Sequence, residues 1–241
     1  MSTTPASERT TVRRLADRGR YDRATIDTIL DEAYVCHVAV VTDDGLPVVT
    51  PTLHARVGDH LVLHGSPASR LLRTARTQEI CVTVTLVDGF VLARSAFHHS
   101  INYRSVMIVG RPEVVPADEK PALLDALVDH LAPGRRPFLR PMSDTEVRAT
   151  TVLRLPIDEA SAKIRTGPPG DEEEDYDLPI WAGVVPVTTT YGSPQTDPAM
   201  RMEVAVPDHA LRFHPGRRPD PGRRPDPGRG PDTGDSSLGG T

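Results

Sequence analysis

No apolar stretch in this chain reaches the roughly 20 residues that a membrane-spanning helix needs. The N-terminus, Met1 to Arg14, also lacks the apolar segment of a secretory signal. Only two cysteines occur, Cys36 and Cys81, both inside apolar strand-like runs, and such thiols without a signal point to a reducing compartment. No His/Cys spacing matches a structural zinc site, so no metal ligands are assigned. Walker and Rossmann glycine patterns are missing, and no Ser-His-Asp arrangement can be assigned from spacing. Lysine is nearly missing too: of 28 basic residues only Lys120 and Lys163 are lysines. The net charge of −5 argues against nucleic acid as the main partner. The expectation is a cytoplasmic protein that engages neither membrane nor nucleic acid.

The 241 residues are only 38% hydrophobic, and the shortfall is concentrated at the two ends. Residues 1–20 read as a polar, arginine-bearing arm. Residues 21–187 read as the folded domain, with an acidic, solvated loop at 168–177. Residues 188–241 read as a disordered tail, because the Pro/Gly/Arg/Asp repeat RRPDPG cannot bury a core.

Within the domain, Asp22 caps a helix running to about Ala33, with Ile26, Ile29, Leu30 and Ala33 on one face. Short apolar runs follow at Tyr34–Thr42, Leu46–Ala55 and His60–His64, joined by Asp43-Asp44-Gly45 and Gly58-Asp59 turns. Ile80–Val87 and Phe90–Ala96 read as two strands about an Asp88-Gly89 turn, and Asn102–Val115 as another strand. A helix is predicted from about Asp118 to Leu131, and a short one after the capping-box pattern Ser143-Asp144-Thr145-Glu146. Thr151–Ile157 and Ser161–Thr166 are further strands. Six or seven antiparallel strands with few helices make a mainly β, closed or partly closed barrel.

The chemistry is read from Leu61–Ala75, LVLHGSPASRLLRTA. Ser66 is taken as a helix N-cap and Pro67 as the first helical residue. Ser69 and Arg70 then fall in the first turn, next to His64 and Gly65. Free N–H groups, two hydroxyls and a forked guanidinium make a phosphate cradle. A well-capped helix with a solvent-facing arginine explains the same residues.

Three stretches, GRYDRATIDTILDEAYVCHVAVV, TPTLHA…LVLHGSPASRLLR and FHHSINYRSVMIVGRPEVV, together resemble the FMN-binding split-barrel proteins related to pyridoxamine 5′-phosphate oxidase. The resemblance is to the branch with nitroimidazole-resistance-type flavin-nucleotide-binding proteins, and KIRTGPP and LPIWAGVVPV support it. It implies a six- to seven-stranded split barrel, a homodimer, and flavin at the dimer interface. Ser66, Ser69 and Arg70 would then hold the phosphate, His64 and Gly65 the turn at the flavin, and Thr50, Pro51, Thr52 and Leu53 the strand along the ring. Tyr103, Arg104, Ser105 and Trp181 would contribute from either chain. Leu71 stands where the oxidases carry lysine, and residues 178–187 hold no arginine. The resemblance therefore does not extend to oxidation of pyridoxamine phosphate.

His64, His98 and His99 are the weak catalytic candidates, as imidazoles that titrate near neutrality; on a strand, His98 and His99 would point to opposite faces. Arg104 has three roles open to it: a phosphate contact, a carboxylate pair across a dimer, or a solvent-facing position. Two functions fit: an FMN-dependent oxidoreductase moving electrons from a small-molecule donor to a nitroaromatic or quinone, or a non-catalytic carrier or sensor of flavin, deazaflavin F420 or haem.

Overall fold

The computed structural model describes residues 4–213. The elements are β1 (Gly19–Arg20), α1 (Arg23–Glu32), β2 (Val35–Val41), β3 (Pro47–Val57), β4 (His60–Gly65), α2 (Arg70–Ala75) and β5 (Ile80–Leu92). There follow β6 (Ser100–Gly110), β7 (Glu113–Val114), α3 (Lys120–Leu131), α4 (Asp144–Arg148), β8 (Thr151–Pro156), β9 (Ala160–Arg165), β10 (Gly183–Pro186) and α5 (Asp208–Leu211). Predicted Asn102–Val115 is broken at Arg111-Pro112 into β6 and β7, and the predicted pair 80–87 and 90–96 merges into β5; β1 and β10 are short additions. No helix among the described residues is long and apolar enough to cross a membrane.

All pairings are antiparallel, in the path β1-β9-β6-β5-β2-β3-β4-β8-β7, with β10 on β5. The path does not close. Its two arms are instead linked by residues 157–159, where Ile157 N–H donates to Asp59 O at 2.9 Å and Val109 N–H to Glu159 O at 2.9 Å. This is a split barrel. Period-two alternation directs Leu61, Leu63, Leu153 and Leu155 into the main core with α1 residues Ile26, Ile29 and Leu30. The intervening Val62 and Val152 face the other way and pack with Leu127 of α3. Burial on both faces explains why Leu61-Val62-Leu63 is continuously apolar.

Two expectations are corrected. Asp88-Gly89 is not a turn: β5 runs straight through as 13 residues, with a bulge between Val87 and Gly89. The extra residue is accommodated because Arg104 binds the Asp88 carboxylate at 2.7 and 2.9 Å. Gly89 is needed for close approach, since a Cβ there would lie 3.0 Å from Val185 O of β10. The acidic segment is also not simply solvated. The Asp171 side chain is fully buried and accepts from the Arg94 guanidinium at 2.9 Å and its backbone N–H at 3.1 Å. Tyr176 stacks on the same guanidinium, 4.7 Å away.

The arm carries 3-10 turns at Glu8–Thr10 and Ala16–Arg18 before β1 pairs with β9. After β10, residues 188–213 form no sheet; Tyr191 packs edge-on against Phe213. His209 of α5 stacks on Phe138, with 4.8 Å between ring centroids. The repeat-bearing remainder of the expected tail lies outside the described residues.

Candidate functional site

Ser66–Ser69 form a turn that precedes the helix, and Arg70 is the first residue of α2. Ser69 N–H donates to Ser66 O at 2.9 Å, and Ser69, not Ser66, caps α2 by accepting from Leu72 N–H at 3.4 Å. Pro67 therefore lies in the turn, outside the helix. Ser66 Oγ accepts from Ala68 N–H at 3.2 Å. Both hydroxyls act as acceptors here, so each keeps its proton available for an anion. Arg70 is exposed and makes no hydrogen bond or ion pair among the described residues. Its charge helps lower the Asp44 carboxyl, after the larger effect of the Thr42 hydroxyl. The turn thus lies near the β2–β3 hairpin tip.

Beside it runs an unpaired backbone edge. From Pro47 to Leu53, β3 pairs with β2 on one side, whereas β4 joins the other side only from His54 to Val57. Thr50, Pro51, Thr52 and Leu53 are on this one-sided stretch. The register also aligns side chains on one outer face: Val49 opposes Ala39, Pro51 opposes His37, and Val87 opposes Tyr103. Ser105 shares the face and donates to Lys163 O at 3.2 Å. Val41, Val49 and Phe90 are more than half exposed there, an apolar patch of the kind that marks an interaction surface. Trp181, just before β10, is 68% exposed and lies over Gly183.

Arg104 does not belong with Tyr103 and Ser105. Alternation turns it to the opposite face, toward α1, where it binds Asp88 and, at 2.8 Å through Nη2, Glu32 of the same chain. The pairing is with carboxylates of its own chain, an arrangement outside the three roles the sequence offered. His98 and His99 lie in and just after a 3-10 turn, Ala96–His98, outside the strands. His98 Nε2 is 3.3 Å from Glu172, and His99 Nδ1 is 2.9 Å from Ser95 O.

His64 has different surroundings. It lines a cavity of about 830 Å³ between the ends of β3 and β4, α3, and the connection from α3 to α4. Leu53, Leu124, Val128 and Leu131 supply apolar wall, while His54 and His130 complete a group of three imidazoles. His54 Nε2 donates to Leu30 O at 3.1 Å and His130 Nε2 to Ala33 O at 2.7 Å. The donor assignment follows because a carbonyl can only accept. His54 Nδ1 and His64 Nδ1 are buried without partners. Burial pushes the His54 pKa down to about 4 and lowers that of His64, so both are neutral at pH 7. The sequence alone assigned no role to His54 or His130. The one available signal was a histidine in the last turn of an amphipathic helix. The thiols lie apart from this chemistry: burial pushes Cys36 up to about 12 and raises Cys81, which keeps them protonated and unreactive.

The His54 shift has a pH consequence. Below pH 6.5 the unfolded chain protonates this imidazole, whereas the folded chain resists until about pH 4. Stability is therefore lost as pH falls through that window, by up to about 3 kcal/mol. His54→Gln keeps a donor for Leu30 O and removes the titration. Urea unfolding from pH 7 to 4 should show a shallower acid loss for the variant; parallel curves would mean that His54 is solvated.

Comparison with known proteins agrees with this architecture. Flavocytochrome Anf3 from Azotobacter vinelandii is 44% identical over 88% of this chain and 99% of that one, with a TM-score of 0.83. The FAD and haem binding protein from Mycobacterium smegmatis is 41% identical over 83% and 98%, with a TM-score of 0.78. A Bacteroides thetaiotaomicron protein named for 5-nitroimidazole antibiotic resistance is 26% identical over 61% and 86%, with a TM-score of 0.52. No match was found among curated proteins. The family described as pyridoxamine 5′-phosphate oxidase matches residues 22–164, more than half of the chain, and this protein therefore belongs to that family, with its split-barrel fold.

Proposed function

We propose that this protein is a redox protein that holds a flavin nucleotide along the open edge of β3, between two copies of the chain, and haem in the cavity beside α3. The observation that carries the reading is the one-sided pairing of β3: residues 47–53 expose backbone donors and acceptors beside a turn with a free guanidinium. Flavin rings need fixed hydrogen-bond partners along one edge, and the flavin phosphate needs an anion site within reach. FMN is the flavin read from the sequence; the FAD named for the M. smegmatis relative is the alternative. Two relatives sharing more than 40% identity are a flavocytochrome and a flavin- and haem-binding protein, which supports a place for both groups here.

The cavity fits haem on its own chemistry. Its walls are largely apolar, and His54 and His64 present buried nitrogens with no partner. Among the described residues no three His, Cys, Asp or Glu groups converge as a bare metal ion would require. Haem, whose iron already comes held by the macrocycle, would need only one imidazole from the protein. His64, neutral and without a hydrogen bond among the described residues, is the residue to supply it.

When bound, flavin supplies hydride and single-electron transfer, and haem supplies single-electron chemistry. The chain's own tasks are to orient and to exclude water. Arg70 and the protons of Ser66 and Ser69 hold the phosphate, β3 backbone groups orient the ring, and the apolar face with Pro51 and Tyr103 excludes water from it. A small acceptor such as a nitroaromatic or quinone would approach the exposed ring. Carriage without turnover is the second reading, motivated by the want of an assigned catalytic acid beside the open edge of β3.

Titration with FMN, FAD and riboflavin tests the flavin site. Arg70→Ala should weaken FMN binding about five- to tenfold and leave riboflavin unchanged. Equal loss for both would make Arg70 structural, and no flavin binding by the parent would contradict the site. Val49→Glu should convert a dimer to a monomer by light scattering and abolish flavin binding while sparing haem. An unchanged mass would place any dimer contact elsewhere.

A further inference from the structure

We infer that Arg136 and Arg140 form a carboxylate-binding rim on the α3-side cavity, so that its ligand is a flat apolar macrocycle bound with its acidic edge at the mouth. The inference rests on the haem reading of that cavity. The connection between α3 and α4 crosses the cavity and carries both arginines into its lining. Their side chains are 50% and 71% exposed, whereas His54 at the other end is 1% exposed. The cavity is therefore graded: the buried His54 imidazole in its depth, aliphatic walls between, and guanidinium groups where it meets water. Haem has the matching gradient, with its iron central and both propionates on one edge.

The rim already binds carboxylates. Arg136 Nη1 lies 3.1 Å from Asp125 Oδ2, with Asp129 at 3.5 Å from Nε. Arg140 reaches Glu146 through Nη1 at 2.8 Å and Nη2 at 2.5 Å. Both pairs are open to water, which screens them, so a ligand carboxylate can compete for either guanidinium. Glu146 stays satisfied when Arg140 leaves it, because it also accepts from Ser143 N–H at 2.8 Å in the capping box of α4. Asp125 and Glu146 line the same cavity. They would repel a propionate, which makes the sign of their substitution informative.

The test is an optical titration of the full chain with haem and, separately, with haem dimethyl ester, whose side chains carry no charge. Arg136→Ala and Arg140→Ala should each weaken haem about three- to tenfold and leave the ester unchanged. Glu146→Gln keeps the capping box, since glutamine serves at that position. It frees Arg140 and removes one anion, so haem should bind about two- to threefold tighter, again with no change for the ester. Equal weakening of haem and ester would show that the arginines only hold the connection in place and would overturn the rim. Haem binding indifferent to all three substitutions would overturn it as well. Failure of the parent chain to bind haem saturably would instead overturn the haem reading, and the rim with it.

Discussion

The carbonyl groups left over at the C-terminal end of α1 govern the rest of this molecule. A helix cannot satisfy its own last carbonyls, and its negative dipole end favours donors there. Here His54 reaches Leu30 O from β3 and His130 reaches Ala33 O from α3. Each bond commits Nε2 as the donor. For His54 the other ring nitrogen, Nδ1, is fully buried and unpaired. The hydrogen-bonding need of the helix end therefore gathers two imidazoles at the cavity and ties the barrel to the element covering it.

The same helix is anchored at three further points. Asp22 caps its start by accepting from Thr25 N–H at 2.9 Å. Ile26, Ile29 and Leu30 fill the barrel core, and Glu32 joins Arg104 and, through it, the bulge at Asp88. Asp88 O also accepts from Val187 N–H at 3.0 Å, which holds the end of the β10 segment. Thus α1 is linked to the cavity through backbone carbonyls and to the opposite sheet through an ion-pair network. The two candidate sites belong to one mechanical unit. β3 joins them, being one-sided and open at 47–53, then covered by β4 from His54 onward.

Most of the barrel was legible in the sequence because its signals are local. Apolar alternation in β2 and β8, the Asp22 cap, the Gly45 turn and the Ser143–Glu146 capping box depend on residues within a few positions of each other. What could not be read depends on distant partners. Asp88-Gly89 has turn composition, but Arg104 and β10 convert it to a bulge. Asp171 resembles its acidic neighbours until Arg94 buries it. Ser66 followed by Pro67 has the composition of a helix start, but Ser66 and Ser69 close a turn after β4, so the cap falls to Ser69. Arg104 shows how far strand logic goes: its neighbours face the open side, so alternation alone already sends it inward. The resemblance to flavin-binding split barrels drew attention to the turn before α2 but not to the cavity, whose residues come from four separate elements.

The most direct measurement of the account is the absorbance spectrum of the purified protein after reconstitution with flavin and haem together. The account predicts flavin bands and a shifted Soret band in one sample, each saturating at one equivalent per chain, with His64→Ala abolishing only the haem contribution. Competition between the two groups for one site, or a chain indifferent to both, would contradict it.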